Sequence, residues 1–218
     1  MACATSAMRD ARNGAEIMQE IREVAGISLE IISGSEEAEL LFSNSIAEQL
    51  DPKKTYLYID VGGGSTELSL FHNQEVLKAQ SFNIGTVRLL QGAVTLLEWR
   101  RMVDWVDEHV PFGQGLMAIG TGGNINKLSK LAGVGKKQRK PVSVDRILEV
   151  YRELKRYSYQ ERIEVVQLKP DRADVIIPAS DIYLTVLQRA GIDEILVPEV
   201  GLADGMVRKM YENYSQSK

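Results

Sequence analysis

The segment Tyr56-Leu-Tyr-Ile-Asp-Val-Gly-Gly-Gly-Ser-Thr-Glu67 runs from alternating apolar residues through three glycines to two hydroxyls and an acid. Leu57, Ile59 and Val61 recur at every second position, which is the spacing of side chains on one face of a β-strand. The alternation therefore predicts a strand that delivers Asp60 to its carboxyl end. The glycines predict a turn, after which the chain returns as a second strand.

The segments that follow this hairpin alternate strand and helix patterns. A third strand is predicted from Glu75 to Phe82, then a helix capped by Thr95, and then a strand from Leu116 to Ile119. The order of three strands, a helix, a strand and a helix predicts an α/β fold. Asp51-Pro52 precedes the first of these strands and marks a boundary between a first domain of residues 1–52 and a second of residues 53–218.

Two predicted helices carry residues that end or interrupt a helix. Apolar residues follow helical spacing from Ser6 to Gly26, where the glycine predicts the end of the helix. The stretch 173–190 predicts a helix that is bent or interrupted near Pro178, because proline lacks the N–H group that a helix interior needs.

Composition excludes several functional classes. The net charge of the 218 residues is −4, which gives no support to nucleic-acid binding. No apolar run approaches the roughly eighteen residues of a membrane span, and the first residues lack the features of a secretory signal. The single cysteine fits a reducing compartment. We therefore expect a soluble, cytoplasmic protein that binds neither nucleic acid nor a membrane.

The glycine turn is suited to binding an anion. Gly62, Gly63 and Gly64 carry no side chain, so several backbone N–H groups can point into one concavity and bind phosphate. An acid beside such a turn repels a bare phosphate, but it fits a Mg²⁺ ion held between carboxylate and phosphate oxygens. Asp60 and Glu67 are therefore candidate metal ligands, and Glu67 is also a candidate for positioning water. A glycine-rich hairpin with surface acids is the structural alternative.

Two further segments are candidates for the same site. The loop Gly120-Thr-Gly-Gly-Asn124 again follows a strand and starts a helix, where phosphate binding is favourable. We expect Asn124 to cap that helix. Glu36 and Glu37 start another helix, where the dipole favours negative charge. Either these acids only match the dipole, or one of them is a general base that takes a proton from attacking water.

Five blocks of the sequence together resemble the exopolyphosphatase/guanosine pentaphosphate phosphohydrolase (Ppx/GppA) family. In chain order they are Ala4-Thr-Ser-Ala-x-Arg9-x-Ala-x-Asn13, Glu30-Ile-Ile-Ser-Gly-Ser-Glu-Glu-Ala38, Asp60-x-Gly-Gly-Gly-Ser-Thr-Glu67, Gly120-Thr-Gly-Gly123 and Gly201-Leu-x-Asp-Gly205. The resemblance implies ribonuclease-H-like domains of the actin/Hsp70/sugar-kinase superfamily around a cleft for phosphates and Mg²⁺. It also implies an enzyme that hydrolyses the terminal phosphate of inorganic polyphosphate or of guanosine pentaphosphate.

The resemblance assigns roles to individual residues. Glu37 matches the catalytic base, and Asp60 and Glu67 match the acids that bind metal and organise the attacking water. The candidate phosphate-binding residues are those of the two glycine segments: Gly62, Gly63, Gly64, Ser65, Thr66, Gly120, Gly122 and Gly123. Phosphoryl transfer needs positioning, charge neutralisation and an oriented nucleophile, so no serine or cysteine nucleophile is required.

Two departures from the family pattern leave alternatives open. The family opens with a strand and an Asp-x-Gly-Ser-Asn-Ser-x-Arg phosphate loop that has no counterpart before Ala4, so we expect a first domain truncated at its N-terminus. Glu39 stands where the family commonly has arginine, which should weaken or alter the binding of a polyanion. Arg9 and Arg88 are candidate replacements for the lost cation.

These departures keep other functions in view. A catalytically silent module that binds polyphosphate or an alarmone nucleotide is the main alternative, and an ATP-dependent kinase of the same superfamily is another. The strands missing from the first domain would leave an exposed sheet edge, which makes a homodimer a further possibility.

Overall fold

The computed structural model describes residues 2–9, 11–34, 36–37, 40, 50–73, 75–111, 115–134, 140–198 and 202–216. The chain divides into two compact units, one formed by Met1–Gln49 with Val200–Lys218 and the other by Leu50–Glu199. The sequence predicts a boundary at residue 52 and a second domain of residues 53–218, with part of the C-terminal helices packing back against the first domain. The two units divide after residue 49, and Val200–Lys218 belong to the first of them.

The described elements alternate between helix and strand. The strands are β1 (Cys3–Ala4), β2 (Glu30–Ile31), β3 (Thr55–Val61), β4 (Thr66–His72), β5 (Glu75–Phe82), β6 (Leu116–Thr121), β7 (Val142–Ser143) and β8 (Glu194–Leu196). The helices are α1 (Ser6–Arg9), α2 (Gly14–Ala25), α3 (Thr86–Leu90), α4 (Leu96–His109), α5 (Gly123–Leu131), α6 (Val144–Leu154), α7 (Tyr159–Glu164), α8 (Pro170–Ala173), α9 (Ile176–Arg189) and α10 (Leu202–Gln216). None of the helices in these described ranges is both long and apolar enough to cross a membrane.

In the first unit, β1 and β2 pair in parallel, and α1 and α2 lie between them in the chain. The single helix predicted from Ser6 to Gly26 is two helices. Gly14 begins α2 close to the end of α1, where a Cβ atom would stand 2.4 Å from the carbonyl oxygen of Met8. Gly26 ends α2 as predicted, with a φ of 67° and its N–H group donating to the carbonyl of Arg22.

The second unit is built on a six-stranded sheet in the order β5-β4-β3-β6-β8-β7. β3, β4 and β5 form an antiparallel meander, whereas β6 is parallel to both β3 and β8. A three-stranded meander whose first strand is continued by parallel strands is the arrangement expected of a ribonuclease-H-like domain. The predicted α/β fold is therefore confirmed, with this sheet at the centre of the unit.

β3 lies in the middle of the sheet and is covered on both faces. On one face Leu57 and Ile59 are fully inaccessible and belong to the same apolar cluster as Met102 of α4. On the other face the ring of Tyr58 packs edge-on against Phe71, with centroids 6.3 Å apart. A strand packed on both sides is held in place by close contacts, so the side chains at its end have a defined position.

Helix α7 begins at a local sequence signal, whereas helix α9 begins later than its sequence pattern indicated. Ser158 and Glu161 form a complete capping box at the start of α7. Pro178, however, does not bend its helix, because α9 begins at Ile176 and the proline lies in the first turn, where its missing N–H group is not needed. The prediction of an interruption near residue 178 was therefore wrong. The break lies at residues 174–175, between α8 and α9.

Candidate active site

Two carboxylates lie opposite each other across the first hairpin. β3 and β4 pair in a register that sets Asp60 directly against Glu67, and such partners share one face of the sheet with Cβ atoms about 5 Å apart. Glu67 is only 5% exposed. Its Oε1 atom accepts hydrogen bonds from the hydroxyls of Ser65 at 2.5 Å and Ser81 at 3.0 Å. These two donors hold the Glu67 carboxylate in one orientation beside Asp60.

The carbonyl groups of the glycine turn are bound by the start of α3. The bonds run from Thr86 N to Gly62 O at 3.0 Å, from Val87 N to Gly63 O at 2.9 Å and from Arg88 Nε to Gly64 O at 2.7 Å. Arg88, one of the two expected cations, therefore lies on this turn. The other, Arg9, donates to the carbonyl of Ile32 at 3.0 Å within the first unit.

The N–H groups of the same turn point in the opposite direction. Across a planar trans peptide the N–H group is antiparallel to the C=O group, and no cis peptide occurs among the described residues. The N–H groups of Gly63, Gly64 and Ser65 therefore point away from α3. None of them donates to an acceptor in the described part of the chain. Three successive N–H donors of this kind can bind an anion such as phosphate.

Gly85 allows α3 to approach the turn this closely. A Cβ atom at residue 85 would stand 2.3 Å from Gly63 O and 2.4 Å from the carbonyl carbon of Gly64. Because both neighbours are backbone atoms, neither can move without displacing the turn. We expect Gly85→Ala to lower the free energy of unfolding by about 1–3 kcal/mol and to reduce phosphate binding at the same time.

Urea denaturation of the full chain checks this prediction. Asn83→Ala, an exposed substitution in the same loop, is the control and is expected to change stability by less than about 0.5 kcal/mol. A Gly85→Ala variant as stable as that control would show that the two backbones are not in contact.

The second glycine loop lies beside Asp60. Asp60 and Thr121 are in register on the adjacent parallel strands β3 and β6, so both glycine segments leave the same edge of the sheet. Gly122 has a φ of 98°, which side-chain-bearing residues rarely adopt. A Cβ atom there would lie 3.3 Å from Asp60 Oδ1. The Asp60 carboxylate is thus adjacent to both segments, and the two predicted glycine loops lie together in the fold.

A cation that the sequence analysis missed lies on this second loop. A Cβ atom built on Gly123 would stand 2.4–2.8 Å from the guanidinium atoms of Arg172. The Nη1 atom of Arg172 also donates to Asn124 Oδ1 at 3.3 Å. The Arg172 side chain remains 38% exposed, so it can meet a ligand in solution. Asn124 does not cap α5, contrary to expectation, because Gly122 occupies the N-cap position and Asn124 accepts from Arg172 instead.

Tyr183 joins the ends of the two strands that carry these loops. Its hydroxyl donates to the carbonyl of Thr121 at 2.8 Å and lies 3.4 Å from that of Ile59. Complete burial raises the pKa of Tyr183 well above its ordinary value, and the nearby Asp60 carboxylate adds to the shift. Tyr183 therefore stays neutral in the folded protein and keeps its proton for these carbonyls.

The shifted pKa of Tyr183 predicts a loss of stability at alkaline pH. The unfolded chain ionises this tyrosine above a pKa of about 10, whereas the folded chain does not, so its contribution is complete below that pH and is lost as the pH rises. We expect Tyr183→Phe to make the decline in unfolding free energy shallower by up to about 1.4 kcal/mol per pH unit between about pH 10 and pH 11.

Urea titrations across that range test the slope. The half-exposed Tyr159, changed to phenylalanine, is the control that should leave the slope as it is. An unchanged slope in Tyr183→Phe would mean that this hydroxyl ionises equally in both states.

Two predicted phosphate-binding residues have packing roles. Gly120 lies inside β6, where a Cβ atom would stand 2.7 Å from Ile195 Cδ1 and 3.0 Å from Ile125 Cγ1. Thr66 is fully buried, and its hydroxyl donates to the carbonyl of Ile84 at 2.6 Å. Phosphate binding at these two positions stays a prediction.

Glu37 belongs to the first unit, among residues 34, 36, 37 and 40 that are helical. The neighbouring Glu36 closes a capping box with Ser33, accepting from its N–H group and its hydroxyl at 2.8 Å each. These two bonds lower the pKa of the exposed Glu36 carboxyl. Glu37 is only 9% exposed. The two acids thus differ in role, because Glu36 caps the helix and Glu37 is the buried one. Glu39 lies outside the described residues.

The oxygen donors at the hairpin fit Mg²⁺. Within the described ranges no group of three or more His, Cys, Asp or Glu side chains is arranged to hold a metal by itself. Mg²⁺ is ordinarily bound by one or two carboxylates together with substrate phosphates and water. Asp60 and Glu67, beside three N–H donors for phosphate, fit an ion that is held jointly by the protein and its substrate.

Fold and site together are those of an α/β phosphate-binding enzyme. The profile of the Ppx/GppA phosphatase family matches residues 1–214, and the chain belongs to this family. The family predicted from the sequence motifs is therefore confirmed.

Individual relatives agree with this membership. Exopolyphosphatase 2 of Mycobacterium tuberculosis is 31% identical over 230 residues, covering 93% of this chain and 72% of that protein. A solved exopolyphosphatase-like protein is 31% identical with a TM-score of 0.77. The match covers 94% of this chain and 75% of the chain of that protein. An exopolyphosphatase from Cytophaga hutchinsonii, 24% identical, shares the fold with a TM-score of 0.78 over 98% of this chain and 75% of its own.

Proposed function

We propose that this protein is an exopolyphosphatase-type hydrolase that releases the terminal phosphate of inorganic polyphosphate or guanosine pentaphosphate with Mg²⁺. The observation that carries the proposal is the pairing of Asp60 with Glu67 beside the three N–H groups of Gly63, Gly64 and Ser65. Family membership supports phosphate hydrolysis as the reaction. The similarity to proteins named exopolyphosphatases supports a phosphoanhydride as the substrate.

The backbone donors bind the phosphate that is lost. Negative charge in phosphoryl transfer is spread over the oxygens of the transferred group, and fixed N–H donors stabilise it without reorganising. Gly64 is held by Arg88, so the donors are positioned before substrate arrives. Arg172, on the second loop, adds a positive charge for a second phosphate of the chain.

Asp60 and Glu67 would hold Mg²⁺ together with substrate oxygens. When bound, the ion neutralises phosphate charge and orients the transferred group. Ser65 and Ser81 keep Glu67 in place for this role. Binding of polyphosphate at this site requires the ion, because two carboxylates would repel the bare polyanion.

Glu37 acts as the general base. A water molecule attacks the terminal phosphorus, a new P–O bond forms, and the bond from phosphorus to the bridging oxygen breaks. Glu37 accepts the proton of the attacking water, and the products are inorganic phosphate and a substrate shortened by one phosphate.

Phosphate release from each substrate, with Mg²⁺ and with excess EDTA, tests the proposal. We expect release from at least one substrate with Mg²⁺ and none in EDTA. Saturable binding of both substrates without release would favour the silent binding module. ATP-dependent phosphorylation of an acceptor, without release to water, would favour the kinase. Undiminished release in EDTA would show that the reaction does not require the metal.

A further inference from the structure

A cavity of about 550 Å³ lies in the second unit, lined by α3, α4, α7, the α8–α9 junction and α9. This volume is within the range of small-molecule sites. Its lining includes the apolar residues Leu89, Trp99, Ile177 and Pro178. None of its lining residues belongs to either glycine segment, so hydrolysis as proposed above does not use it.

The lining of the cavity also carries charge. Arg162, Asp174 and Asp181 line it, which gives two carboxylates to one guanidinium. The guanidinium is bound to backbone, because Nε donates to Leu154 O at 3.1 Å and Nη1 to Ala173 O at 2.9 Å. The cation is therefore engaged by carbonyls, and the local excess of charge is negative.

The two carboxylates are satisfied to different extents. Asp181 accepts a hydrogen bond from the hydroxyl of Tyr151. Asp174 has a buried Oδ1 atom with no hydrogen-bond partner in the part of the chain that the structure describes. A buried acceptor without a donor is unfavourable. Because the Oδ1 atom is itself inaccessible to solvent, a ligand in the cavity would stabilise this carboxylate through opposite charge and not through a hydrogen bond to that atom.

We propose that this cavity binds an organic cation, namely a primary amine or guanidine carried on an apolar body. The excess of carboxylates in the lining selects a positively charged ligand. The apolar lining residues accommodate the body of the ligand, and the Trp99 indole can add a favourable cation–π or stacking contact. An anionic ligand would be repelled by both aspartates.

Titration of the full chain with phenethylamine, and separately with 2-phenylethanol, tests the proposal. The two probes share an apolar body, and only the amine is charged near pH 7. Calorimetry gives the affinity, and tryptophan fluorescence locates binding, since Trp99 lines the cavity whereas Trp105 is buried elsewhere in the core. We expect the amine to saturate the site and to bind at least about tenfold tighter than the alcohol, a difference of about 1.4 kcal/mol.

Variants link that preference to the aspartates. Asp174→Asn and Asp181→Asn should each reduce the preference for the amine. Asp181→Asn keeps a hydrogen-bond acceptor for Tyr151, so this variant provides the test if Asp174→Asn does not fold. Asp145→Asn, an exposed acid on α6, should leave the preference unchanged. Absence of saturable binding, equal affinity for both probes, or a preference that survives in both aspartate variants would overturn the proposal.

Discussion

Glu37→Gln is expected to slow phosphate release by about 10²- to 10⁴-fold, the range that a positioned general base contributes. The amide has nearly the same shape as the carboxylate, but it cannot accept a proton from water near neutral pH. Because Glu37 is buried and the change conserves volume, the fold should persist. Steady-state phosphate release with Mg²⁺ gives the rate, and a thermal melt gives the stability.

The adjacent acid provides a matched control for this variant. Glu36 is exposed and closes the capping box with Ser33. Glutamine also serves at that position of a capping box, so Glu36→Gln should retain activity within about twofold of the wild type, well below the contribution of a general base. Undiminished release by Glu37→Gln, or equal losses in both variants, would show that Glu37 is not the general base.

Asp60→Asn is expected to lower activity by at least about 10²-fold at limiting Mg²⁺ and to raise the Mg²⁺ concentration needed for half-maximal rate by at least about tenfold. The substitution removes a negative charge from a position adjacent to both glycine segments while keeping its size. Mg²⁺ titrations of the phosphate-release rate measure both effects.

The control for this second prediction removes a negative charge elsewhere in the same unit. Asp145→Asn, on the exposed face of α6, should leave the Mg²⁺ titration unchanged. If Asp60→Asn shows the same Mg²⁺ dependence as the wild type, Asp60 is not a metal ligand. A loss of folding in Asp60→Asn is not expected, since Tyr183 and the packed strand β3 hold this edge of the sheet.

The first hairpin was predictable because its signals are local. Alternating apolar residues and three glycines define the strand, the turn and the return strand within twelve positions. The register that opposes Asp60 and Glu67 follows from the length of that turn. The distinction between Glu36 and Glu37 is partly local as well, since a serine three residues before a glutamate is the pattern of a capping box.

The features that were missed depend on contacts between distant segments. Arg172 meets Asn124 across 48 positions, and Tyr183 meets Thr121 across 62. No spacing rule links such residues before the fold is known. The packing role of Gly120 could not be predicted for a related reason, because a glycine needed for packing looks the same in sequence as one needed for a ligand. Its close neighbours Ile125, Tyr183 and Ile195 are identified only by the fold.

The most direct test of the proposed site is the backbone amide spectrum of the Glu37→Gln variant during titration with inorganic polyphosphate and Mg²⁺. This variant should bind substrate without consuming it. We predict saturable shifts of the Gly63, Gly64 and Ser65 amides that are lost in EDTA. Binding that leaves these three amides unshifted, while amides elsewhere in the chain respond, would contradict the assignment of this turn as the phosphate site.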